Sequence, residues 1–202
     1  MPHPRWQEVY AKPITLPEFI DHIYSHRIFL NAIFTEGVKR LLEIGTGSGS
    51  MSIFLSHLGF QITSIDNNDE VIKIAQQNNE ILRGNLKIIK ADAFNLPFSE
   101  NSFDLVFHQG FFEHFSNEEI HNLLTEQLRV APIVVFSVPT CYYLSKSLGE
   151  RLLTKREWEN ILTDFKVVES AYYGLPRPDS FLKRFLISIG WRRIYYYAKI
   201  KR

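Results

Sequence analysis

Glycines at positions 45, 47 and 49 in Leu42-Glu-Ile-Gly-Thr-Gly-Ser-Gly49 stand directly after a short apolar run and before a helical stretch. With no Cβ in the way, the backbone there can turn tightly and approach a ligand closely. Asp66 follows 19 residues beyond Gly47, at the end of the next β-branched run. A carboxylate at that point of a nucleotide-binding α/β sheet accepts hydrogen bonds from ribose hydroxyls. Reading G-x-G-x-x-G from Gly45 puts Ser50 where the third glycine belongs, and Glu43 precedes the loop. An acid beside the loop repels a pyrophosphate and attracts a ligand carrying ammonium and sulfonium groups, which favours S-adenosylmethionine over NAD. No Gly-Lys-Ser/Thr follows, which excludes a phosphate-gripping P-loop. Taken by itself, the loop also fits a tight strand–helix turn with no ligand.

Methyl transfer from a sulfonium is an in-line displacement in which the cofactor supplies the electrophile. The protein contributes by aligning the reactants and excluding water. An oxygen or nitrogen acceptor must also lose a proton, which calls for a base. His108 and His114 are the candidates, with Glu113 adjacent to the second. His108 reads equally as a cofactor contact, and Glu113-His114 as a helix-entry pair packed against the loop. Phe111, Phe112 and Phe115 read as packing. His22 and His26, four apart on a helix with no third ligand in view, read as a solvated face rather than a metal site.

Positioning these groups requires several strand ends to converge. Short β-branched runs alternate with helical stretches, the pattern of βαβ units and a mostly parallel sheet. Strands are predicted over 40–44, 61–65, 86–90, 103–107, 133–138, 166–172 and 193–200. Helices are predicted over 17–36, 50–58, 69–83 with Asn68 as N-cap, 117–130, 155–163 and 178–189. Capping boxes at Ser116…Glu119 and Thr154…Glu157 open two of them. The sum is an α/β, doubly wound, mostly parallel seven-stranded Rossmann-like sheet with helices on both faces, which binds ligands beyond its carboxyl ends.

Composition supports one globular domain: 202 residues, 45% hydrophobic and 22% charged, excluding disordered and fibrous classes. A single cysteine, Cys141, can form neither an internal disulfide nor a cysteine zinc site, so a cytoplasmic setting is expected. No run approaches the roughly 18 apolar residues of a membrane span. The opening MPHPRWQEVY lacks a signal peptide's apolar core. The net charge of +1 hides an asymmetry: residues 42–150 carry 6 basic against 13 acidic groups, and residues 151–202 carry 12 against 5. A basic C-terminal quarter points to an anionic partner or surface.

Four stretches in order, LLEIGTGSGS, ITSIDNND, KADAFNLPFSENSFDLVF and HQGFFEHF, cover about residues 38–140. They resemble the class I, Rossmann-like S-adenosylmethionine-dependent methyltransferases, and within them the small-molecule branch that includes quinone-biosynthesis enzymes. The resemblance implies that Glu43, Gly45, Thr46, Gly47 and Gly49 hold the methionine part of the cofactor, and that Asp66 with Asn67 holds the ribose. Asp92 and Ala93 would meet the adenine edge, and His108, Gln109 and Gly110 would line the cofactor after the fourth strand. Asp104, a hallmark of that strand, would satisfy backbone donors near its start.

No metal is expected, because Gly110 stands where some relatives with a Glu-His pair carry an upstream acid. The domain would span 1–202, with a helical lid over 1–36, a cofactor-binding core over 37–140 and an acceptor side over 141–202. Its acceptor would be a small aromatic or anionic molecule, met by Trp6, Tyr10, His26 and Arg27, by Tyr142–Leu144 and by Tyr172–Asp179. Two alternatives stand beside this reading. One is an RNA methyltransferase, suggested by basic residues interleaved with Tyr and Trp in 191–202. The other is a cofactor-binding protein without catalysis.

Overall fold

The computed structural model describes residues 12–35, 37–143, 149–174, 185 and 194–202. Its centre is a seven-stranded sheet in the order β3-β2-β1-β4-β5-β7-β6. The strands are β1 (Arg40–Ile44), β2 (Gln61–Asp66), β3 (Leu86–Lys90), β4 (Leu105–Gln109), β5 (Ile133–Pro139), β6 (Lys166–Tyr173) and β7 (Tyr195–Lys201). β1 pairs in parallel with β2 and β4, and only β7 runs antiparallel to its neighbours. The chain therefore reverses its winding between β1 and β4, and at that switch point an open α/β sheet leaves a crevice for a ligand.

The helices are α1 (Leu16–Ser25), α2 (Arg27–Ile33), α3 (Ser50–His57), α4 (Asp69–Ile81), α5 (Asn117–Val130) and α6 (Lys155–Ile161). Thr15, Ser116 and Thr154 each close a capping box, with Glu18, Glu119 and Glu157 reaching back to the cap's own N–H. One face of the sheet packs Leu42, Val106, Val134 and Phe136 under α5 and Trp158 of α6. The other packs Leu41, Leu105, Phe107 and Val135 under α2 and α3.

Two elements differ from the sequence-based expectation, and both differences shape the site. The single helix expected over 17–36 is broken at His26, which leaves helical geometry (φ −105°, ψ 15°). Its ring is drawn instead into a buried contact with Tyr173. The fourth strand begins at Leu105 rather than Phe103. Asp104 Oδ2 accepts from the backbone N–H groups of Lys39 (2.9 Å) and Arg40 (2.8 Å), and its Oδ1 takes the Arg40 guanidinium at 2.7 Å. The carboxylate thus fixes the start of β1 beside β4, the structural role expected of it, and pushes the ladder two residues onward to Gln109.

Candidate active site

The glycine loop follows β1 and turns on three left-handed residues, Gly45 (φ +70°), Gly47 (φ +50°) and Gly49 (φ +74°). Side chains other than glycine's rarely take that conformation. The Gly45 and Thr46 N–H groups donate to the Ile65 carbonyl at 2.9 and 3.0 Å, tying the loop to the tip of β2. Asn78, fully buried on α4, holds it from below: its Nδ2 donates to the Ser48 carbonyl at 2.8 Å, and its Oδ1 accepts from Ile14 N–H at 2.9 Å. No sequence neighbour signals this clamp, since a polar residue in mid-helix looks solvated.

Replacing Asn78 with Leu orphans both backbone groups, each at about 1–3 kcal/mol if left unsatisfied. Cofactor affinity should fall roughly tenfold or more, measurable by titration calorimetry with S-adenosylhomocysteine.

Glu43 is buried, and its Oε2 gathers three hydroxyls: Thr46 (3.2 Å), Ser52 (2.7 Å) and Ser64 (2.9 Å). Burial pushes its carboxyl up to about 7, with the Asp66 charge adding to the rise and the three hydroxyls opposing it. The side chain knots the loop to α3 and β2, so a cation brought into the crevice would favour its ionised form. Asp66 sits half-buried at the β2 tip and accepts from Asn68 N–H at 3.0 Å. Burial raises its carboxyl, while backbone N–H groups of Asn68, Gly47 and Asn67 hold it down. Asn67 is exposed beside it.

Asp66 pairs in register with Lys90 of β3, so Asp92 stands two residues beyond, on the neighbouring strand tip. Asp92 is exposed and accepts from Phe94 N–H at 2.9 Å in a tight turn; Ala93 packs against the core.

His108 and Gln109 are consecutive in a strand and therefore point to opposite faces. His108 is fully buried on the α5 face, ringed by Phe112 (centroids 4.1 Å apart), Phe111 (5.2 Å) and a stacked Phe136 (5.7 Å). Burial drives its imidazole down to about 3. Gln127 is the polar group that bears on it, yet neither side chain completes a hydrogen bond. A neutral ring sealed behind phenylalanines is poorly placed to reach an acceptor or to touch the cofactor with its side chain. His114 lies on the 3₁₀ turn Phe112–His114, mostly buried, with Nε2 3.9 Å from Glu113 Oε1.

Glu113 is buried, and its Oε2 has no hydrogen-bond partner. Burial, with the Glu150 charge adding, pushes its carboxyl up to about 8, so at neutral pH it holds a proton. Because the folded value lies above the unfolded one, near 4.5, the stability it contributes is complete below about pH 4.5 and is lost as pH rises through 8. Between pH 6 and 9 the ligand-free parent should lose about 2 kcal/mol more than Glu113→Gln, as read by denaturant melts at both pH values. The other buried groups titrate in both chains and cancel in that difference.

Gln109 faces the opposite side and meets α1. Its Oε1 lies 3.1 Å from His22 Nε2, and its Nε2 lies 2.7 Å from His26 Nε2. His26 Nδ1 is 2.8 Å from Tyr173 Oη, which in turn bonds Ser137 Oγ. Only 4% of His26 is exposed. The reading of His22 and His26 as a solvated face is therefore wrong: the pair is docked over the ends of β4, β5 and β6. Tyr195 packs on His26 (4.7 Å) and Tyr173 (5.3 Å), Tyr143 on Tyr195 (5.6 Å), and Tyr142 on Tyr172 (6.0 Å). Trp6, Tyr10, Leu144, the segment 175–184 and most of the helix expected over 178–189 lie outside the described residues.

A glycine loop at the β1–β4 switch and carboxylates on the tips of β2 and β3 make a candidate nucleoside site in a doubly wound domain, with a packed polar–aromatic cluster at β4–β7 beside it. Residues 41–131 match the family described as "Methyltransferase domain". The chain is 28% identical over 102 residues to an uncharacterized methyltransferase of Staphylococcus carnosus, covering 50% of this chain and 46% of that protein. It is 26% identical over 192 residues to the ubiquinone/menaquinone biosynthesis C-methyltransferase UbiE of Pseudomonas fluorescens, covering 85% and 74%. It thus spans about half the length of the first of these relatives. The PH0226 protein of Pyrococcus horikoshii shares the fold at a TM-score of 0.72 and 17% identity, over 96% of this chain and 98% of that one. Residues 41–131 therefore match a methyltransferase domain, and the relatives that the chain resembles are methyltransferases. Among the described residues no helix is long and apolar enough to cross a membrane.

Proposed function

We propose that the chain is an enzyme that transfers the methyl group of S-adenosylmethionine to a small aromatic acceptor. The observation that carries this reading is the pairing of the left-handed glycine loop with Asp66, one strand away at the switch point. Gly45, Thr46, Gly47 and Gly49 would leave room for the methionine part, Asp66 with Asn67 would hold the ribose, and Asp92 with Ala93 would edge the adenine. Glu43 would supply the negative field that a sulfonium prefers. When bound, the cofactor supplies the activated methyl group; the chain orients it and keeps water out. The backbone at Gly110, whose N–H donates to the Ser137 carbonyl at 2.9 Å, would border the methyl.

The acceptor would lie under α1, the described part of the proposed lid over 1–36, against Tyr143, Tyr173 and Tyr195. The concentration of aromatic rings at Tyr143, Tyr173 and Tyr195 would favour a flat molecule over an RNA strand. The single cysteine agrees with a cytoplasmic protein.

S-adenosylhomocysteine should raise the melting temperature and NADH should not, because a ligand that binds only the folded state stabilises it. A metabolite that gains one methyl when protein and cofactor are added to extract would then establish catalysis. Cofactor binding with no methylated product, in extract or in RNA, would leave a binding protein and refute the enzyme.

A further inference from the structure

The docked imidazole pair is a cluster of titratable groups that the proposed cofactor site leaves unused, joined through Gln109, Tyr173 and Ser137 in one hydrogen-bonded chain. We propose that His22 is the base that takes the acceptor's proton, and that the acceptor is an aromatic hydroxyl compound. This rests on the methyltransferase reading above.

A carbonyl oxygen only accepts, so the 3.1 Å contact from His22 Nε2 to Gln109 Oε1 puts the proton on Nε2 and leaves the lone pair on Nδ1. His22 Nδ1 makes no hydrogen bond to a described residue. The other end of the amide donates to His26 Nε2, His26 Nδ1 donates to Tyr173 Oη, and Tyr173 donates to Ser137 Oγ. With the Gln109 amide oriented this way each donor meets an acceptor, and the proposed tautomers follow from that orientation. Gln109 and His26 are positioning residues; only His22 presents an open lone pair.

The place is also right. β1 pairs with β4 through Glu43↔Phe107, so Gln109, two residues past that pair, lies at the same carboxyl end of the sheet as the cofactor loop. His22 meets His26, the residue at which the helix breaks; His26 in turn meets Tyr173 on β6 and Tyr195 on β7, and the Glu113 charge bears on Tyr173. Burial holds both imidazoles below their ordinary value, so each is neutral at neutral pH.

The chemistry selects the acceptor class. A neutral amine attacks through its own lone pair and needs no base beforehand, and most carbon acids are too weak for an imidazole. A phenolic hydroxyl suits both the base and the tyrosine walls. As its O–H bond breaks, the proton passes to His22 Nδ1. The oxygen's electron pair forms the O–CH₃ bond while the C–S pair stays on sulfur, and the imidazolium keeps its Nε2–H bond to Gln109.

The test compares the parent with His22→Gln, each supplied with S-adenosylmethionine and offered phenol, catechol and 4-hydroxybenzoate. The parent should form a methyl ether at a rate that rises through a midpoint below pH 6.5 and then levels. His22→Gln should lose about 10²-fold or more in kcat and the acid limb, with S-adenosylhomocysteine affinity kept. Nitrogen NMR of histidine-labelled parent should show the Nε2–H tautomer at His22. An unchanged rate or pH profile in the variant, the Nδ1–H tautomer, or no ether from any of the three phenols in a parent that binds S-adenosylhomocysteine would each overturn the inference. A parent that fails to bind S-adenosylhomocysteine would instead sink the cofactor reading beneath it.

Discussion

Gly47→Val should reduce S-adenosylhomocysteine affinity by at least about 10³-fold, measured by calorimetry on protein whose circular dichroism matches the parent. Two effects combine. Valine is branched at Cβ and is a genuine outlier at φ +50°, so the loop must rearrange at a cost of order 1–3 kcal/mol. Its methyl groups would also stand in the space that the backbone needs for close approach to the ligand. A control separates strain from site. Gly59 is equally left-handed (φ +90°), but a Cβ there meets nothing within 4 Å. Gly59→Ala should therefore lower stability and leave affinity unchanged. Equal affinity in Gly47→Val and parent would remove the loop from the binding site.

Asp66→Ala should weaken cofactor binding by about 10- to 150-fold, the loss of a charge-assisted acceptor at roughly 1.5–3 kcal/mol. The carboxylate is half-buried and already takes backbone N–H groups from its own turn, so part of any effect could be structural. The same titration with Asp69→Ala sets the baseline. Asp69, three residues on, is exposed and pairs with Lys90 at 2.7 Å on the outside of α4. Its loss should leave affinity within about twofold of the parent. Matching losses in the two variants would mean that Asp66 shapes the turn and does not hold the ligand.

Much of the scaffold was legible because it is encoded locally. The capping boxes at Ser116 and Thr154, the Asn68 cap and the apolar runs of β1, β2 and β3 depend on residues within a few positions of one another, and each stands where the sequence places it. The broken helix and the docked His22 depend on contacts made far along the chain. The broken α1–α2 helix is held at His26 by Tyr173, 147 residues away, and His22 is held by Gln109, 87 residues away. Nothing near either histidine announces those partners, and an i, i+4 pair with no visible ligand reads as surface.

The His108–Gly110 stretch divides its side chains between the two faces of the sheet. A strand shows alternate side chains to alternate faces, so His108 and Gln109 could not both face the same crevice. Once β4 extends to Gln109, the sealed histidine and the networked glutamine follow from that alternation. Glu113 escaped notice as a site of its own because its unpaired, proton-holding state comes from burial, which sequence neighbours do not report.

Titrating S-adenosylhomocysteine into the folded chain by calorimetry at pH 6 and pH 8 tests the central claim most directly. The predicted result is one site per chain, bound more tightly at pH 8, because Glu43, which titrates near 7, must ionise to favour the ligand's ammonium group. No heat of binding at either pH, from protein that melts cooperatively, would contradict the claim that the glycine loop, Glu43 and Asp66 form a cofactor site.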